Sequence, residues 1–226
     1  MRVKNEPKIT VNKLGEYLVA SSTRQRKILE TIKYPKDEGG QWGFVHSDAR
    51  EALKRYFVSG FDDSHIVECI NKLKDSIGTD SEKNYYQSSI LLLEKALDSR
   101  SEELKSFEFE LYSPKKEYLN IEGVSVSVYP DLLVKSHNRG KDYVGALKIH
   151  LTKNSELNQE SGKFIATILH KYTTEFFLTD LHIKTDLHIS YDVISDNIIK
   201  CPLSVKNRWK EIEAGCKNIA AIWKTI

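Results

Sequence analysis

Asp131 and Lys148 are the residues whose types and spacing best suit chemistry in this chain. In the stretch 124–151, Val124, Val126 and Val128 alternate with Ser125, Ser127 and Tyr129, and Pro130-Asp131 follows. A polar seven-residue loop then leads to a second alternating segment that carries Ala146-Leu147-Lys148. Alternate residues of a strand share a face, so Ala146, Lys148 and His150 project to one side and Leu147, Ile149 and Leu151 to the other. Asp131 has the parity to join Lys148 if its strand runs through Pro130, where proline implies an edge or a bulge. A carboxylate beside a lysine on neighbouring strands can hold a divalent metal against a phosphate. Asp131 would be the hard oxygen ligand, and Lys148 would orient or polarise a water and stabilise the charge that builds on the phosphoryl oxygens. His150, on the same face as Lys148, either contacts a phosphate or sits outside the site. Lys135, His137, Arg139 and Lys141 form a basic patch around the loop, either a track for a nucleic-acid backbone or a solvated hairpin tip.

The elements around this pair change character near residue 107. Before it, apolar residues recur at helical spacing: Leu14, Tyr17 and Leu18; Ile28, Leu29 and Ile32; Ala49, Leu53 and Phe57; Ile66, Ile70 and Leu73; Tyr86, Ile90, Leu93 and Leu97. Ser47-Asp48, Asp62-Asp63-Ser64 and Thr79-Asp80 read as helix starts, with the helix after Asp63 reaching about 77, and 37–40 reads as a loop. The first two helices resemble a helix-turn-helix with Arg24, Arg26 and Lys27 exposed, although a helical hairpin with a solvated basic face is the commoner meaning. After 107 the period becomes two. Strands are expected at 107–112, broken by 114–116, and at 118–121, with Glu122-Gly123 turning into the strand at Val124. A long helix at 155–178, strands at 187–193 and 198–201, and a final helix at 204–223 complete the order. That last helix carries Val205, Trp209, Ile212, Cys216, Ile219 and Trp223 as one apolar stripe.

Composition sets limits on class. The chain has 226 residues, 40% of them hydrophobic, which is enough for a substantial core, and a net charge of +2 gives no global sign of a nucleic-acid binder. Cys69, Cys201 and Cys216 lack the spacing of a zinc or redox motif and read as buried thiols. His182 and His188 lack the spacing of a metal pair on a helix. With no apolar run of membrane length and no leader pattern, the expectation is a soluble, cytoplasmic protein.

Pro130-Asp131, the loop and Ala146-Leu147-Lys148, with the surrounding element order over roughly 80–201, resemble the PD-(D/E)xK nuclease superfamily. The resemblance implies an α/β (α+β) fold with a restriction-endonuclease-like mixed sheet flanked by helices. On this reading, 1–78 is a helical N-terminal extension and 79–226 is the core. It also implies a phosphodiester hydrolase for DNA restriction, repair or defence, using Mg²⁺ or Mn²⁺ on Asp131, with DNA preferred to RNA as partner. Lys135, Arg139, Lys141 and His150 would meet the nucleic acid. The chain departs from the motif at Ala146, where the family has an acid. Some members take that acid from the following helix, which points to Glu160 or Glu156, while Glu94, Glu102 and Glu103 are further candidates. The alternative is a catalytically degenerate copy of the fold that acts as a binding or assembly subunit, with the terminal helix docking on a protein partner or on its own sheet.

Overall fold

The computed structural model describes residues 3–35, 46–99, 102–113, 117–152, 156–177 and 179–226. The loop expected at 37–40 and the break at 114–116 lie outside these residues. In chain order, β1 (Lys8–Thr10) leads into α1 (Val11–Val19), α2 (Ser22–Lys33), α3 (Ser47–Val58), α4 (Ser64–Lys74), α5 (Asp80–Leu97) and α6 (Glu102–Lys105). Next come β2 (Glu108–Leu111), β3 (Tyr118–Ile121), β4 (Val124–Ser127), β5 (Leu132–Asn138) and β6 (Lys141–His150). The chain continues through α7 (Gln159–Phe176), β7 (His182–Ile183), β8 (Ile189–Asp192), β9 (Asn197–Lys200) and α8 (Val205–Trp223). Local chemistry sets several of these boundaries. The Thr79 side chain caps α5 reciprocally with Glu82. The turns Glu122-Gly123 and Arg139-Gly140 have both residues at positive φ, the geometry that matches the twist of a two-residue hairpin. His46, at φ 63, rather than Ser47, precedes α3.

The fold is α+β. Six strands form a mixed sheet in the order β2-β5-β6-β8-β9 with β7 beside β6, and β1-β4-β3 form a smaller sheet. β6 and β8 are parallel, and α7 supplies the crossover this requires. Alternation sorts the large sheet as expected: Leu147 and Ile149 enter a core shared with Leu53, Phe57, Ile66 and Leu93 of the α3–α5 layer. A second core packs Leu14, Ile165, Leu169, Val126 and Ile219 between α1, α7, α8 and the small sheet.

Several expectations need correction. The polar loop after Asp131 is strand β5, paired from Leu132↔Leu147 to Asn138↔Lys141. Its buried Leu132 and Val134 point into the α3–α5 core, while its second half is polar because it approaches an exposed tip. β4 does not neighbour β6; it belongs to the small sheet. Within residues 1–78, β1 pairs with β4 and helices line both cores. α4 ends at Lys74. Arg24, Arg26 and Lys27 are exposed as expected, with Arg24 and Arg26 paired with Glu16 and Glu30. The apolar stripe of α8 is spent inside, with Ile212, Cys216, Ile219 and Trp223 buried and Trp209 packed against the same core. Cys201 and Cys216 are buried, and burial pushes their thiols up to about 11 and about 12; Cys69 is half-buried. No helix among the described residues is long and apolar enough to cross a membrane.

His188 ties the turn before β8 to α7. Its Nδ1 lies 3.0 Å from the Lys184 carbonyl and 3.2 Å from that of Thr185, and its Nε2 lies 2.6 Å from Thr173 Oγ1 of α7. Two acceptors at Nδ1 assign the proton there, with Nε2 accepting from the Thr173 hydroxyl, so the neutral ring is fully satisfied. Burial, reinforced by the neighbouring His170, pushes the imidazole down to about 3. The folded-state value lies below the unfolded one, so the unfolded chain binds more protons between them and stability rises with pH. The contribution is present above the unfolded value of about 6.5 and is lost as pH falls toward 3. Going from pH 7 to pH 5 should therefore cost about 2 kcal/mol through this residue. Urea denaturation at the two pH values should show the loss, and His188→Gln should remove most of the pH dependence; an unchanged slope in the variant would contradict the assignment.

Candidate functional site

The site forms where β5 begins. Pro130 has no N–H to offer a neighbouring strand. The Asp131 N–H donates to the Leu147 carbonyl at 2.8 Å, although Leu147 is already opposite Leu132, so the strand is bulged at Asp131. Upstream of the bulge the main chain departs toward β4, and β6 at Ile149 loses its neighbour on this side. Buried backbone groups need partners, and side chains supply them here. Asp131 Oδ2 accepts the Ile149 N–H at 2.8 Å, and Arg50 Nη1 of α3 donates to the Ile149 carbonyl at 2.9 Å. The same Nη1 donates to Asp131 Oδ1 at 2.9 Å. Lys148 Nζ lies 3.1 Å from Asp131 Oδ2 and donates to the Tyr129 carbonyl at 2.6 Å.

The cluster is largely enclosed: the side chains of Asp131, Lys148 and Arg50 are 7%, 12% and 29% exposed. Burial works to raise the Asp131 carboxyl, but the Lys148 and Arg50 charges and the Ile149 N–H outweigh it and hold the group below the usual carboxylate range. Burial lowers the Lys148 ammonium; Asp131 opposes that fall, and the Arg50 and Lys54 charges add to it. Lys54, one helical turn beyond Arg50 on α3, is bonded to the exposed Glu51 at 2.8 Å.

The expected residues are distributed unevenly. Asp131 and Lys148 meet, despite the bulge, and His150 is half-buried on the Lys148 side of β6. Glu160 does not join them: it sits in the first turn of α7, paired with Lys163 at 2.7 Å and Arg208 at 2.8 Å. That end of α7 lies over β9, where Gly162 packs against Ile199, and β9 is on the far side of β8 from the pair. Glu156 is exposed, Glu102 is paired with Lys105 and Glu103 with Lys200. Ala146 is fully buried. The basic patch is not beside the pair. Lys135 is ion-paired with Glu110, His137 is hydrogen-bonded to Asp142, and Lys141 lies seven residues before Lys148 on β6, roughly 23 Å at strand rise. Arg50 and Lys54 are the residues the sequence reading missed. Their signal was faint: two cations one turn apart on the flank of the Ala49, Leu53 and Phe57 stripe.

This donor set does not fit a divalent metal. Mg²⁺ takes oxygen ligands. Both oxygens of Asp131 are already held by cations and an N–H, and Ala146 offers none. Among the described residues, no three His, Cys, Asp or Glu side chains converge as ligands. The arrangement instead closes the gap left by β5 and concentrates positive charge there.

Removing one member of a buried pair leaves the other charge uncompensated. Asp131→Ala should therefore cost about 3–5 kcal/mol in urea denaturation, because it strands Lys148 and the Ile149 N–H together. Arg50→Ala should cost less, about 1–3 kcal/mol, because that side chain is partly exposed. A loss below about 1 kcal/mol for Asp131→Ala would contradict the structural role. No family model matches this chain and no curated protein matches it significantly, so the reading of the site rests on its geometry.

Proposed function

We propose that this chain binds nucleic acid through a degenerate nuclease-like core, gripping a phosphodiester with Arg50, Lys54 and Lys148, and needs no metal to do so. The observation that carries the reading is the Arg50 guanidinium on Asp131, a permanent cation where the resemblance to PD-(D/E)xK nucleases would put a metal ion. Arg50 and Lys148 contact the one buried carboxylate, and Lys54, whose charge acts on Lys148, is paired with the exposed Glu51, so the notch keeps excess positive charge. Arg50 uses Nη1 for both of its internal bonds, and the rest of its planar fork suits the paired oxygens of a phosphate. DNA is the preferred partner, as the resemblance implies.

A second reading, Mg²⁺- or Mn²⁺-dependent hydrolysis, draws on the lowered Lys148 ammonium, a property that suits proton transfer to or from a water. Labelled single- and double-stranded DNA and RNA, tested by fluorescence anisotropy in EDTA and by gel in Mg²⁺ or Mn²⁺, separate the two. Binding should survive EDTA, weaken as salt rises, and fall about tenfold or more in Arg50→Gln, as expected for one charge-assisted contact. No strand should be cut. Cutting that requires the metal and disappears in Lys148→Ala would establish the hydrolytic reading instead, and no binding to any of the four substrates would remove nucleic acid from the account.

A further inference from the structure

A cleft of about 410 Å³ opens on the other side of Leu133 and Val144, beside the C-terminal end of α7. Its volume is in the range of ligand pockets, and its composition is that of a site with apolar walls and a few fixed polar groups. Tyr112, Phe176 and Phe177 form the aromatic wall, with the Tyr112 and Phe177 rings 4.7 Å apart and tilted by 38°. Glu110, Lys135 and Glu117 supply the charge. Glu110 and Lys135 neutralise each other as an ion pair. Glu117 has no ion-pair partner among the described residues, and its negative charge adds to burial in raising the nearby Tyr112 hydroxyl. Among the described residues, the uncompensated charge of the cleft is therefore one carboxylate against aromatic faces.

We infer that this cleft receives an arginine side chain from a partner protein, its guanidinium on Glu117 and its plane against the Tyr112–Phe177 wall. A carboxylate beside π-faces selects a cation with a flat, weakly hydrated head, which is what distinguishes arginine from lysine. The same acid disfavours a phosphate-bearing ligand, which sets this cleft apart from the Arg50 notch. The stripe of α8 is consumed by the core, so this cleft rather than that helix is the surface through which the chain would dock on another protein.

The probe is the capped peptide acetyl-Gly-Arg-Gly-amide, titrated into the full chain by NMR, with the lysine peptide, agmatine and adenosine in parallel. The arginine peptide should bind more tightly than the lysine peptide, and Glu117→Gln should weaken it about tenfold, the scale of one charge-assisted hydrogen bond. Tyr112→Ala should weaken it as well, with thermal melts of both variants showing that the fold is kept. Agmatine binding as well as the peptide would reassign the cleft to a small amine. Adenosine binding in place of the peptide, or arginine binding unchanged in Glu117→Gln, would overturn the inference. Neither result bears on the Arg50 notch, whose nucleic-acid binding is measured separately.

Discussion

The structure depends on how β6 ends. At Ile149 the strand still carries a buried N–H and C=O that face the space β5 has left, and an unpaired buried backbone group costs about as much as a lost hydrogen bond. Asp131 and Arg50 satisfy that N–H and that carbonyl, and Lys148 balances the charge brought in to do so. The carboxylate thus ties a strand end to the helical layer through α3, and Lys148, paired with it, ties in the bend by donating to the Tyr129 carbonyl. This explains why the three residues, far apart in sequence, form a single buried unit. It also explains why Asp131 stays ionised at such burial: the bonds that hold the fold together are bonds to its charged form.

The same economy bears on chemistry. A nuclease centre of the kind the motif resembles needs open oxygen ligands, and here they face inward onto cations and an N–H. The missing acid at position 146 and the arginine at position 50 are complementary facts. A methyl group at Ala146 suits a closed, packed sheet, and Arg50 supplies the positive charge a bound ion would otherwise contribute. On the two proposals above, the positive notch would take phosphate and the aromatic cleft a cationic group.

Much of this was legible in the residues. The helix start at Thr79-Asp80, the Glu122-Gly123 turn, the apolar stripe of α8 and the alternation of β6 were each written in local periods and turn chemistry, and the structure bears each of them out. Asp131 and Lys148 meet as expected, but not along the strand that was assumed: β4 lies in the other sheet and Asp131 is bulged at the start of β5. What was not legible is non-local. β5 reads as a loop because only Leu132 and Val134 of its residues go deep into the core, and the pairing that makes it a strand comes from β2 and β6. Arg50 looks like any basic residue on a helix flank until α3 is laid against a strand end 81 residues away. Glu160 had a helix to reach from, but the placement of that helix over β9 decided against it.

The central claim, that the oxygens of Asp131 belong to Arg50, Lys148 and Ile149 and not to a metal, is tested most directly by titrating Mn²⁺ into the protein under electron paramagnetic resonance. The account predicts that the free-ion signal falls no faster with the protein than with its Asp131→Asn variant. A stoichiometric Mn²⁺ site that the variant loses would contradict it.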